Sequence, residues 1–393
     1  MVKFMFVFFG LALFASAQTT AFPVIISEIM ADPHPGVLLP DAEYIELFNR
    51  SNEPVNLNGW QLYFGTKERT LSAAVLGPGE YLIICESGKE GLFLTQGKTM
   101  ALPDMPAIVN TGQTLILKSA TGKTMHAVSF TDRWYHSSFK AEGGWSLEII
   151  DPDNPCGRSD NWSESMDYHG GTPGHENSVS ACNPDQESPF LLRATMISDS
   201  MVKLYFNEYM DSASLSDPLC YSVNKGILHP KAAVPVGPEF RSLVLGYSRR
   251  FEASEIYTVT VLNTLKDCVG NYLHNRAGVD FSVPLSCDSF DVVINEIMVD
   301  PDSGMSEYIE LYNRSGHVLD LSECSLALAD PFTAKISKII SLNENPFLLF
   351  PDHYAVVTRN IMGLPVICTE KYPSNLVEQT DLFTLPNITG VIL

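Results

Sequence analysis

Basic residues are scarce in this chain of 393 residues: 25 Lys and Arg stand against 46 Asp and Glu, a formal net charge of -21. A protein that grips nucleic acid without sequence preference neutralises phosphates with Lys and Arg, so this balance argues against a nucleic-acid partner. Beyond the N-terminus no run is long and apolar enough to cross a bilayer, and no transmembrane segment is expected there. Catalytic signatures are missing too. The chain has no HExxH zinc-protease pattern, no GxSxG nucleophile elbow, no GxxxxGK phosphate loop and no CxxC pair. His34, His169 and His175 are scattered among turn residues, where ordinary hydrogen bonding is a simpler role than metal ligation.

What is present begins with a leader. Lys3, the apolar run Phe4 to Phe14 and the small residues Ala15-Ser16-Ala17 make residues 1–17 a secretory signal. Export gives meaning to the eight cysteines, because an oxidising destination permits disulfides.

One stretch then occurs twice. VIISEIMADP (Val24 to Pro33), EYIELFNRS (Glu43 to Ser51) and VNLNGWQL (Val55 to Leu62) return as VVINEIMVDP (Val292 to Pro301), EYIELYNRS (Glu307 to Ser315) and LDLSECSL (Leu319 to Leu326). The loop between the first two segments is shorter in the second copy, a change that a surface loop tolerates. Two copies this far apart indicate a duplicated domain with another inserted, since a solenoid repeat returns every 20 to 50 residues or so.

Short apolar stretches punctuated by Pro, Gly, Asn and Asp predict antiparallel sheets throughout, an all-β fold. In the first module, residues 21–179, the expected strands include Val24 to Met30, Tyr44 to Phe48, Trp60 to Phe64, Tyr81 to Cys85, Thr114 to Lys118 and Met125 to Phe130. Its tail, with Trp145, Trp162, Cys156 and several glycines, reads as a loop folded back over a sheet edge. Asp151, Asp153, Asp160 and His169 in that tail are an alternative metal set without fixed coordination spacing. A linker over residues 180–189 leads to a second β domain, 190–284, which reads as a sandwich. The second copy of the repeat occupies residues 291–393.

The repeated acids carry the only recurring candidate chemistry. Strand alternation puts Val24, Ile26, Glu28 and Met30 on one face and Tyr44, Glu46 and Phe48 on one face of the next strand, so Glu28 and Glu46 meet if the strands pair. Glu296 and Glu310 repeat the arrangement. A buried carboxylate needs a donor or cation. Main-chain N–H groups or Arg50 and Arg314 are the structural solution. Calcium is the other, held by Glu28, Glu46 and Asp32 or by Glu296, Glu310 and Asp300, although the EF-hand pattern is absent. No cofactor is otherwise expected.

At these residues the chain resembles the lamin-tail domain family, an immunoglobulin-like β-sandwich found in nuclear lamins and in secreted bacterial proteins. The likeness rests on SEIMADP and NEIMVDP, both EYIEL segments, Asn49 and Asn313, and the strand containing Trp60 or Cys324. IDPDNPCGRSDNW and GGTPGHENSV resemble the long form of exported Bacteroidetes-type proteins. VKLYFNEYMDSASLSDPLCYSV and LKDCVGN in the middle resemble a bacterial immunoglobulin-like domain. The resemblance implies extracellular or surface architecture and offers no catalytic residues. A nuclear-lamina role lacks the long heptad rod.

The expectation is therefore a secreted or surface structural or adhesive protein whose loops meet an extracellular protein, a glycan or a cell-envelope component. The alternative is the noncatalytic part of a larger extracellular hydrolase, or a calcium-dependent protein. Cys156 with Cys182, and Cys220 with Cys268, are candidate staples, while Cys85 and its second-copy counterpart Thr358 sit in an apolar strand. The second copy reaches Leu393 without counterparts to the first copy's later strands, so it is expected to be incomplete, with a continuation supplying them.

Overall fold

A computed structural model describes residues 22–253, 255–274, 277–385 and 391–392. The expected leader and residues 386–390 lie outside the described residues. The chain divides into two compact units, Met1–Pro184 and Asp185–Leu393.

In the first unit the strands are β1 (Val24–Met30), β2 (Tyr44–Asn49), β3 (Val55–Asn56), β4 (Gln61–Phe64), β5 (Lys67–Thr70) and β6 (Val75–Leu76). They continue as β7 (Tyr81–Glu86), β8 (Thr99–Leu102), β9 (Gly112–Lys118), β10 (Thr124–Thr131), β11 (Leu147–Ile149) and β12 (Trp162–Glu164). A six-stranded sheet runs β12-β11-β1-β2-β7-β8 and a four-stranded one β10-β9-β4-β5. Apolar side chains from both fill one core: Ile26, Ile29, Ile45, Leu47 and Ile84 meet Leu62, Leu115, Leu117, Val128 and Phe130. Burial of this kind, worth roughly 25 cal/mol per Å² of apolar surface, is what drives two sheets together. Trp162 is fully buried in the same core, tilted against Trp134 with ring centroids 6.1 Å apart, so the tail does fold back with its aromatic inward.

The second unit holds β13 (Leu191–Ser198), β14 (Met201–Phe206), β15 (Tyr221–Val223), β16 (Ala232–Val236), β17 (Ser242–Gly246), β18 (Tyr257–Val261) and β19 (Gly278–Phe281). These form sheets β13-β14-β17-β16 and β15-β18-β19, packed through Val202, Leu204, Leu243 and Leu245 against Tyr221, Val259 and Phe281. Next come β20 (Val292–Met298), β21 (Tyr308–Asn313), β22 (Leu319–Asp320), β23 (Ser325–Ala329), β24 (Ile336–Ser341), β25 (Leu348–Leu349), β26 (Tyr354–Thr358), β27 (Leu376–Glu378) and β28 (Val391–Ile392). The sheet β20-β21-β26-β27 repeats the order β1-β2-β7-β8, including the parallel last pair. Thr358 faces Tyr308 as Cys85 faces Tyr44, so the two are structural counterparts, and Cys85 is a buried free thiol.

The staples expected from cysteine spacing do not form. Cys182 and Cys220 are free thiols, whereas Cys156 and Cys268 are disulfide-bonded. Cys182 is exposed beyond the loop it was expected to pin, and Cys220 is buried with its sulfur 3.4 Å from Thr264 Oγ1.

Strict alternation along β1 also fails, for a local reason. Ile26 pairs with Leu47 but Glu28 with Glu46, so Ser27 is an extra residue, a β-bulge that reverses the phase. Val24 and Ile26 therefore enter the sandwich core, while Met30 joins Tyr44, Ile83, Cys85 and Phe93 in a cluster of its own. A bulge frees backbone groups, and buried ones need partners. Ile26 N–H donates to His126 Nδ1 at 3.1 Å, and Ser27 O accepts from Asn177 Nδ2 at 3.0 Å. His126 Nε2 in turn lies 2.7 Å from Pro155 O, which fixes the ring as the neutral Nε2–H tautomer.

Burial depresses His126 from the ordinary 6.5 to about 4. Between these values the unfolded chain takes a proton that the folded chain refuses, so stability falls as pH drops from 6.5 towards 4, by about 3 kcal/mol in all. All four tryptophans, Trp60, Trp134, Trp145 and Trp162, lie in the first unit, so their fluorescence reports its unfolding. Urea titrations across this range are expected to show that loss in wild type, and a smaller pH dependence with a lower midpoint at pH 7.5 in His126→Ala.

Candidate site: a row of buried glutamates under a C-terminal strap

The bulge aligns three acids on adjacent strands. Glu28 on β1 faces Glu46 on β2 on one side and Glu148 on β11 on the other, and none of the three is exposed to solvent. Such a row survives only if every carboxyl finds donors. Glu28 Oε1 accepts from Tyr44 OH and Ser146 Oγ, each at 2.6 Å, and from Thr172 N at 2.9 Å. Glu46 accepts from Ser27 Oγ at 2.8 Å and Gly174 N at 2.5 Å. Glu148 accepts from Thr172 Oγ1 at 3.0 Å and Ser178 Oγ at 2.8 Å.

Most of these donors come from one segment, residues 169–179, lying across the row as a strap. Its glycines are required by proximity. A Cβ on Gly171 would sit 2.6 Å from both Glu28 Oε1 and Tyr44 OH, and Gly174 adopts φ +84° with Gln96 O 2.3 Å from where a Cβ would stand. Asn177 completes the strap by donating to Ser27 O and Ile149 O.

Desolvation, with Glu148 beside it, pushes Glu28 up to about 8, and desolvation with Glu28 beside it raises Glu46 as well. Tyr44 is likewise driven up by burial and by Glu28. Desolvation thus favours the neutral acid at Glu28 and Glu46, and the Tyr, Ser and N–H donors, which pull the other way, bring no full positive charge to offset it. Arg50 reaches elsewhere: its Nη2 pairs with Asp153 at 2.6 Å. Of the two structural solutions expected for the acids, main-chain N–H groups are thus seen for Glu28 and Glu46, joined by hydroxyls.

The calcium set is not assembled. Asp32 takes Asn110 Nδ2 at 2.6 Å and His34 N at 3.3 Å, both in loops. Among the described residues, the group whose acidic donor atoms lie within 4.8 Å of one another is Asp185, Glu208 and Asp267. There Asp267 Oδ1 caps the turn through the N–H groups of Val269, Gly270 and Asn271. The tail acids also serve turns: Asp151 accepts from Asp153 N and Asn183 N, Asp160 from Arg158 N, and His169 pairs with Asp167 at 2.7 Å.

In the second copy the same bulge pairs Glu296 with Glu310, but the surroundings differ. Every residue of β1 is buried and none of β20 is. Glu296 is exposed and accepts from Tyr308 OH at 2.6 Å, Glu310 is half-buried and accepts from Asn295 Nδ2 at 2.7 Å, and Asp300 is exposed in the following loop. Among the described residues β20 pairs with β21 alone. Glu148, Ser146, Thr172, Gly174 and Ser178 escaped the sequence reading. The alternation in Ser146-Leu147-Glu148-Ile149 is the one signal that pointed to a further strand.

Beside the strap a cleft of about 330 Å³ opens between Phe48, Arg50, Tyr81, Asp153, Glu176 and Asn177. Phe48 and Tyr81 stack at 4.6 Å and form an aromatic wall, rimmed by charges of both signs.

Two-sheet all-β modules of this kind, with a repeated Glu pair, define a class of immunoglobulin-like domains. Within it, a family model described as Lamin Tail Domain matches residues 17–132 and 288–375, just over half of the chain, and the chain belongs to that family. A model described as Bacterial Ig-like domain matches residues 178–283. No curated protein gives a significant match. Among solved structures, the N-terminal part of the bacterial S-layer protein SbsC is 16% identical over 44% of this chain and 41% of that one, with a TM-score of 0.23. A structure of SbsC domains 1-6 is 14% identical over 45% of this chain and 33% of that one, at the same score. The chain thus spans less than half of either, and no fold argument rests on them.

Two outcomes follow from this geometry. A carboxyl raised to about 8 from 4.5 keeps its proton in the folded state where the unfolded chain loses it, so its stabilising effect is complete below 4.5 and fades as pH rises through 8. Glu28→Gln, the neutral isostere, is expected to flatten this alkaline loss in tryptophan-monitored urea titrations between pH 6 and 9. Hydrogen exchange is expected to be at least roughly tenfold faster at Glu296 and Ile297 than at Glu28 and Ile29, since β11 covers only the latter pair.

Proposed function

We propose that this protein is exported and acts at the cell surface or outside it as a structural and adhesive scaffold, in modules spanning residues 21–179, 190–284 and 291–393. Its β modules hold loops in place for an extracellular protein, a glycan or a cell-envelope component, and the chain itself carries no catalytic step. The observation that carries this reading is the direction of the repeated acids in the first module. Glu28, Glu46 and Glu148 are sealed under the strap with hydroxyl and N–H donors, while the neighbouring cleft presents the stacked Phe48 and Tyr81 rings and polar groups to solvent. Membership of the lamin-tail family, the match to a bacterial immunoglobulin-like domain and the leader-like start of the sequence support an extracellular setting.

Protease added to intact source cells is expected to degrade the protein, or the protein is expected in the medium. Purified chain is expected to bind an isolated cell-envelope fraction, and Tyr81→Ala to weaken that binding roughly tenfold, the loss expected when a stacked aromatic wall is removed. Recovery of the protein only from the cytoplasm, protected from protease, would overturn the reading.

A further inference from the structure

The second repeat departs from the first at one core position. Where the first copy has Trp60, buried in its sandwich, the second has Cys324. The loss of so large a side chain coincides with a cysteine on the segment that enters the repeat. Residues 282–291 run from the central sandwich to β20, and their course is fixed by backbone pairing: Leu285 N–H donates to Val318 O at 2.9 Å, and Leu285 bridges Leu319 in parallel. This lays Cys287 alongside the short turn Leu321–Glu323 that ends at Cys324. Cys324 is held on both sides, its N–H on Leu321 O at 3.1 Å and its O accepting from Leu342 N at 3.0 Å. The Cys287 sulfur neighbours that of Cys324 closely enough to raise the Cys324 pKa and itself donates to Asp288 O at 3.6 Å; both are free thiols, Cys287 exposed and Cys324 partly buried.

We propose that Cys287 and Cys324 are a disulfide-forming pair that fastens the entering segment to the second lamin-tail repeat, taking the place that tryptophan packing holds in the first. The reaction is thiol–disulfide exchange with an external disulfide, either a small molecule or a dithiol–disulfide protein. Cys287 as thiolate attacks one sulfur of that disulfide, releasing the other as a thiol and leaving a mixed disulfide. The Cys324 sulfur, after giving up its proton, displaces the second thiol. Two protons and two electrons leave the pair, one S–S bond forms, and the external disulfide becomes two thiols. Cys287 is the entry point because it is exposed, whereas burial and the neighbouring sulfur hold Cys324 at about 12. The bond would close a loop of roughly 40 residues, a length at which cross-linking restricts the unfolded chain strongly.

The test uses the full chain treated with oxidised glutathione, alkylated and digested without reduction. The expected product is a peptide pair joining Cys287 to Cys324, lighter by two hydrogens than the separate peptides and split by reductant. Thermal unfolding should move upward on oxidation in wild type, and this shift should be absent in Cys287→Ser, whose exposed hydroxyl is compatible with folding. Recovery of Cys287 and Cys324 both alkylated after oxidation, or joined to other cysteines, would overturn the proposal. So would an equal oxidation shift in wild type and Cys287→Ser.

Discussion

Three glutamates side by side in a dry sheet face set the terms for the first module. Each would cost several kcal/mol if buried charged and alone, and their closeness makes ionising all three worse still. The module meets this in two ways. Burial and mutual proximity raise Glu28 and Glu46, which favours their protonated forms, and a strap brings N–H and hydroxyl donors to the carboxyl groups. Much else is arranged around that solution: Gly171 leaves room over Glu28, Asn177 ties the strap to the bulge, and His126 holds the bulge's other freed group.

The second repeat shows the same strand pair under other conditions. Its bulge and its Glu–Glu register match the first, so these follow from the shared sequence. Burial does not follow. With Glu296 exposed and Tyr308 and Asn295 as partners, water reaches the pair. The conserved element is thus backbone geometry, and the chemistry of the acids depends on what lies over them.

Within the second unit, the central sandwich and the second repeat are packed as one body. Val318 and Leu348 of the repeat join the central core, and the Arg193 guanidinium lies 4.6 Å from the Tyr205 ring centroid and 5.2 Å from that of Phe347. A cation between two aromatic faces keeps its charge while burying its stem. The Leu285–Leu319 bridge, which carries Cys287 towards Cys324, lies along the same seam, where the chain passes from one sandwich to the other.

The duplication, the all-β class, the strands beginning at Val24, Tyr44, Met201 and Tyr257, and the pairing of Glu28 with Glu46 were legible in the sequence, because strand periodicity and turn residues act locally. The phase of β1 was not, since an inserted residue such as Ser27 changes no composition and shows only when a partner strand counts one residue fewer. Nor was cysteine pairing, because spacing along the chain does not give separation in space. The donors for the acids were beyond local reading for the same reason: Thr172 meets Glu28 from 144 positions away, and Gly174 meets Glu46 from 128. Sequence determined that acids would meet on a strand face. Tertiary structure decided that one pair is sealed and protonated and the other open to water, because solvation is set by whatever covers a surface, and that cover comes from distant parts of the chain.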